Sequence, residues 1–123
     1  MLILRKAQID AIGAASEESL RLRMRRHVES EYPEICAALG DKRVALRVKL
    51  GLQRARKHGI RDESHLELFL ELMFEFGREF DRSPEVPWGK AVFAAPYPIE
   101  QKMIALAQRA TAARVERITG RVE

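Results

Sequence analysis

The chain has 123 residues, 46% of them hydrophobic and 33% charged, a composition that fits one globular domain over residues 1–123 and excludes a disordered or collagenous chain. A single cysteine rules out an internal disulfide or a cysteine-rich zinc module, and no apolar run reaches the roughly 18 residues of a membrane span. The formal net charge of +4 is uneven: 13 Lys/Arg against 7 Asp/Glu in residues 1–60, 4 against 8 in 61–98, and 5 against 3 in 99–123, so basic flanks can neutralise an acidic middle.

Five Pro and seven Gly, gathered in a few places, lean the chain towards helix. The first helix is expected over 5–30, with Ile9, Ile12, Leu20, Met24 and Val28 at helical spacing and a weak point at Gly13-Ala14-Ala15-Ser16 where it could kink. Pro33 suits the first turn of a short second helix that ends at Leu39, before Gly40. Asp41 offers an N-cap for a third helix over 42–58, whose stripe is Val44, Val48, Leu52 and Ala55, widened by Leu50, and Gly59 closes it.

Asp62 caps a fourth helix, and Glu63 in its first turn suits the helix dipole. Leu66, Leu68, Phe69, Leu70, Leu72, Met73, Phe74, Phe76 and Phe80 cover much of its circumference. Either several elements surround this helix, or an apolar face around Met73 exceeds what so short a chain can hide and is left for a partner. Pro84 and Pro87 make 82–87 an extended loop, Trp88 opens a short helix over 88–94 with Val92 and Phe93 inward, and Pro96 and Pro98 precede a last, Ala-rich helix over 99–120. The tail after Gly120 is expected to fray. The fold class is therefore all-α, a compact bundle of five or six helices around a central apolar helix.

Catalytic chemistry finds little support. Cys36 beside Ala37, Ala38 and Leu39 reads as a small buried hydrophobe, and with no signal-peptide core at the N-terminus the expected compartment is the cytoplasm. His27, His58 and His65 lie on three different segments without zinc-ligand spacing, and His58 beside Gly59 reads as a helix C-terminal cap. No G-x-S-x-G, phosphate-binding loop or dinucleotide motif is present, so the expectation is a non-enzyme with no catalytic, metal or cofactor residue. The arginines of Leu20-Arg21-Leu22-Arg23-Met24-Arg25-Arg26-His27 spread around a helix instead of forming a stripe, and no aromatics interleave with them, so nucleic acid is a poor partner.

Two features point to a protein partner. Glu63, Glu67, Glu71, Glu75 and Glu79 recur every four residues as an acidic ridge, either solvated or compensated by Arg21, Arg25, Arg43, Arg47 or Arg54. The stretch from Leu72 to Asp81, followed by Pro84, Pro87 and Trp88, is either packing or an aromatic anchor. On the packing reading Gly77 admits a neighbouring backbone, Phe80 ends the helix in the core and Trp88 pins the loop. On the anchor reading the partner-binding residues are Phe74, Phe76, Phe80 and Trp88, with Glu67, Glu71 and Glu75 alongside.

Taken together, Ile3-Arg5-Gln8, Met24-x-x-His27, Pro33, Leu39-Gly40, Ala55-x-x-His58-Gly59-Ile60, Leu72-Met73-x-x-Phe76-Gly77-x-x-Phe80-Asp81 and Pro87-Trp88 resemble small helical proteins encoded among type VI secretion genes, near spike, effector and adaptor genes. The resemblance spans about residues 3–110. It implies a cytoplasmic accessory that helps an effector or its adaptor load onto the secretion spike, and it carries no site residues with it. The expected partner is thus an effector, adaptor or spike protein, without membrane, and self-association stays open. Alternatives are an immunity protein whose acidic ridge covers a toxin's basic active site, and a nucleic-acid-binding helical protein.

Overall fold

The computed structural model describes residues 6–120, with side chains from residue 16 onward. It contains six helices: α1 (Lys6–Glu31), α2 (Pro33–Leu39), α3 (Asp41–Lys57), α4 (Glu63–Phe76), α5 (Pro87–Ala94) and α6 (Ile99–Thr119). No strand occurs among the described residues, so the chain is all-α. No described helix is long and apolar enough to cross a membrane. Two compact units divide it, the first ending at Lys49 and the second starting at Leu50, so that α3 crosses the boundary.

In the first unit α1 runs as one continuous helix through residues 13–16. Met24 and Val28, one turn apart, are buried. The expected contributions of Ile9 and Ile12 fall outside the described side chains, as do Ile3, Arg5 and Gln8. Tyr32 N–H donates to Val28 O at 2.8 Å, and Pro33 then sits in the first turn of α2, where its missing N–H costs nothing. Gly40, at φ 84°, ends α2 by donating to Cys36 O. The Cys36 thiol is buried and reaches Val28 O at 3.6 Å. Burial, and then the nearby Glu29 carboxylate, push its pKa up, as expected for an inert packing residue.

The second unit begins with the last turns of α3, where Leu52 and Ala55 are buried and Arg54, Arg56 and Lys57 complement the helix dipole. Ile60 N–H donates to Ala55 O and Gly59 N–H to Arg56 O, a Schellman closure that needs Gly59 at φ 88° and buries Ile60 as its hydrophobic plug. Asp62 caps α4 by accepting from Ser64 N at 2.9 Å. Along α4, Leu66, Phe69, Leu70, Leu72, Met73 and Phe74 are all buried. The surplus of apolar surface expected around Met73 is therefore enclosed, and the first of the two readings of this helix applies.

Two expectations change at the end of α4. The helix stops at Phe76 because Gly77 takes φ 110°, so Phe80 lies in a run of turns instead of in the helix. Residues 77–86 are not extended either: Phe80 N–H donates to Gly77 O, Arg82 and Ser83 N–H to Glu79 O, and Val86 N–H to Ser83 O. Gly77 meets no close neighbour, and the tight backbone approach belongs to Gly89, whose added Cβ would lie 2.0 Å from Phe80 O. Gly51 is tight in a softer way, with Leu70 Cδ2 and Met73 Sδ at 2.5 and 2.6 Å from a Cβ built there. The expected fraying after Gly120 concerns residues outside those described.

These differences rank the glycines. Gly89→Ala must displace backbone and is expected to cost at least about 3 kcal/mol, whereas Gly77→Ala, at φ 110° and ψ 149° where only glycine is at ease, costs about 1–3 kcal/mol for its backbone angle alone. Urea unfolding of both variants checks this, and a Gly89→Ala protein as stable as wild type would contradict the packing described.

Candidate functional site

The chemistry of the second unit starts from Asp81, the one charged residue buried among those described, at 4% exposure. The turns after Gly77 carry it inward towards the end of α3. There His58 Nε2 lies 2.8 Å from Asp81 Oδ2 and Arg54 Nη1 lies 3.2 Å from Oδ1. An ionised carboxylate only accepts, so His58 Nε2 donates. The same Arg54 nitrogen also donates to the carbonyl of Arg78, tying guanidinium, turn backbone and carboxylate together. Burial pushes the Asp81 carboxyl up, but the His58 hydrogen bond and the Arg54 charge outweigh it and hold the group below its ordinary 3.8. His58 therefore serves as partner to Asp81 and not as the expected cap on helix carbonyls, and Arg54 is committed here and not to the acidic ridge.

An aromatic series runs outward from this lock. The His58 ring stacks on Phe93 with centroids 3.9 Å apart. Phe93 meets Phe69 edge-on at 5.9 Å, and Phe69 meets Phe80 at 5.0 Å. Phe80 contacts Trp88 at 6.4 Å, and Trp88 meets Phe76 edge-on at 5.1 Å. The Arg117 guanidinium lies 5.1 Å from the centre of the Phe76 ring. Phe69 and Phe80 are fully buried, while Phe76 and Trp88 are half-buried and so form the outer end of the series.

Beside Phe76, Glu75 receives a two-pronged ion pair from Arg114, with Nε and Nη2 at 2.7 and 2.6 Å, and Arg117 stands 3.7 Å away. This clamp joins α4 to α6. Arg114 and Arg117, not among the cations expected to compensate the ridge, are spaced three residues apart late in α6, where positive charge is favoured.

Of the expected partner-binding residues, the structure brings Phe76, Phe80, Trp88 and Glu75 together. Phe80 at 0% and Phe74 at 3% exposure are interior, so neither ring can touch a partner. Glu67 and Glu71 are half-buried on α4, two turns and one turn before Glu75, and both have interactions of their own. Unforeseen from the sequence is an open groove of about 250 Å³ between α5 and α6. Trp88, Val92, Ala95 and Ala105 give it an apolar floor, and Tyr97 and Arg109 stand at its side. Tyr97 is 61% exposed. Lys102, whose Nζ donates to Phe93 O at 2.8 Å, ties the two helices together at this groove.

No family model, no curated protein and no solved structure matches this chain.

The lock carries a pH signature. Because the folded pKa of Asp81 is depressed, its stabilisation is complete above about 3.8 and is lost as the pH falls through the lower folded value. Asp81→Asn removes the charge while keeping the volume, and is expected to cost about 2–3 kcal/mol at neutral pH and to flatten the acid limb of the stability curve. Denaturant titrations at several pH values measure both; an Asn variant with wild-type stability at neutral pH would remove the lock.

Proposed function

We propose that this chain is a non-enzymatic, protein-binding accessory, an adaptor, co-adaptor or effector chaperone that helps load a type VI secretion effector onto the spike. The observation that carries the reading is the groove between α5 and α6, where Trp88 and an exposed Tyr97 accompany a small-residue floor and Arg109. Trp, Tyr and Arg are the residue types favoured at interface centres, because each offers a large contact area together with a polar handle. The resemblance to small proteins of secretion gene clusters supplies the partner class. Its motif residues serve this surface indirectly: Ala55, Ile60, Leu72, Met73 and Phe80 are core, and His58 and Asp81 form the lock beneath it.

The contact residues of the proposal are Trp88 and Phe76, with Tyr97 and Arg109 added. Phe74 and Phe80 support them from inside. An immunity role would draw on the acidic ridge, but the Glu75 end of that ridge is already neutralised by Arg114, which leaves less negative potential to meet a basic toxin site. Nucleic acid is disfavoured by the acidic character of α4.

Co-purification with a spike, effector or adaptor protein tests the reading. Tyr97 and Arg109 are exposed, so Tyr97→Asp with Arg109→Glu should leave the melting temperature unchanged and weaken capture roughly tenfold or more. Wild-type protein that captures none of the three at micromolar concentration contradicts the role. Capture unaffected by the double variant moves the contact away from this groove.

A further inference from the structure

The first unit contains a larger groove, about 490 Å³, between α1 and α3. On α1 its wall is Glu18, Arg21, Leu22 and Arg25, positions i, i+3, i+4 and i+7 of a single helical face. On α3 the wall is Leu46 and Lys49, with Val48 buried at the floor. Leu22 and Leu46 are 48% and 54% exposed, an arrangement in which two leucines from different helices turn their side chains to solvent around one depression. Isolated exposed leucines need no explanation, but two lining one concave apolar surface do.

Charge decides the occupant. Three cations, Arg21, Arg25 and Lys49, border the apolar strip against one carboxylate, Glu18. Arg25 is oriented by Glu29 at 2.7 Å and by Asp41 at 3.5 Å. A trough walled by two helices accepts a third helix along its length, burying leucines or similar residues at i, i+3 or i+4 and i+7. With Arg25 held by Glu29 and Asp41, Arg21 and Lys49 are the cations that favour acidic residues beside those anchors and disfavour a basic helix. We propose that this groove is a docking site for an acidic amphipathic helix of a partner protein, with Leu22 and Leu46 as the apolar contacts and Arg21 and Lys49 as the charge selectors. The site belongs to the other unit from Trp88, so it stands whether or not the α5–α6 groove binds a partner.

The test uses the full chain and a fluorescein-labelled synthetic helix of about four turns, with leucines on one stripe and glutamates flanking it. Controls are a scramble of the same composition, a version with lysine in place of glutamate, and an oligothymidylate of similar charge. Fluorescence anisotropy should show saturable micromolar binding of the acidic helix, at least about tenfold tighter than either peptide control. Leu46→Gln, at an exposed position, should weaken it about tenfold with an unchanged melting temperature, and Arg21→Glu with Lys49→Glu should transfer preference to the lysine helix. The proposal is overturned by equal binding of the scramble, by no saturation with any peptide, or by a preference that charge reversal leaves unaltered. It is equally overturned if the oligonucleotide displaces the acidic helix without itself responding to Leu46→Gln, or if sedimentation shows a dimer that Leu46→Gln disperses, since a second copy would then fill the groove.

Discussion

A carboxylate taken out of water is costly unless its oxygens are met by donors, and the second unit is arranged around meeting that requirement once. Asp81 is brought inside by the turns that follow Gly77, and its two oxygens are answered from the end of α3 by Arg54 and His58. Arg54 lies in the last turn of α3 and His58 directly follows that helix, so the lock fixes the turns to the end of α3 specifically. What the turns carry is thereby fixed as well: Phe80 packs under the backbone of Gly89, and α5 starts where Trp88 can meet Phe76.

The exposed aromatic surface is a consequence of interior packing. His58, Phe93, Phe69 and Phe80 pass contact from the lock to Trp88, each pair at a tilted, edge-on or stacked geometry that aromatic rings favour. On the other side the Arg114 clamp on Glu75 holds α6 against α4, and Lys102 ties α6 to the last turn of α5. The groove that Trp88 and Tyr97 line is bounded by elements that are each anchored by a hydrogen-bonded charge. Such a surface is preorganised, and a partner that meets it loses less conformational entropy on binding.

Much of the fold was legible in the amino-acid order. Pro33, Gly40, Gly59, Asp62, Pro87 and Pro98 mark helix ends by local backbone chemistry, and helix boundaries read from them agree with the structure to within a residue or two. The end of α4 was not legible, because the apolar pattern continues through Phe80 while Gly77 alone turns the chain. Nor was the Asp81 lock: nothing local pairs a residue at 81 with residues at 54 and 58, since such contacts are set by tertiary packing and not by periodicity. For the same reason the anchor residues were only partly readable. Phe74, Phe76 and Phe80 are equally aromatic in sequence, yet two are core and one reaches the surface. Grooves between helices leave the weakest trace, as they depend on which small residues face each other across two elements.

The central claim, that the Asp81 lock sets the placement of the Trp88 surface, is open to a direct optical reading because Trp88 is the sole tryptophan. Acrylamide quenching of its fluorescence, followed from about pH 7 to about pH 3, reports how well the ring stays packed while the carboxylate is titrated. The account predicts constant, partial shielding down to the region of Asp81 protonation and a rise below it, with the Asp81→Asn protein already showing the raised quenching at neutral pH. Identical quenching of the two proteins across the whole range would contradict it.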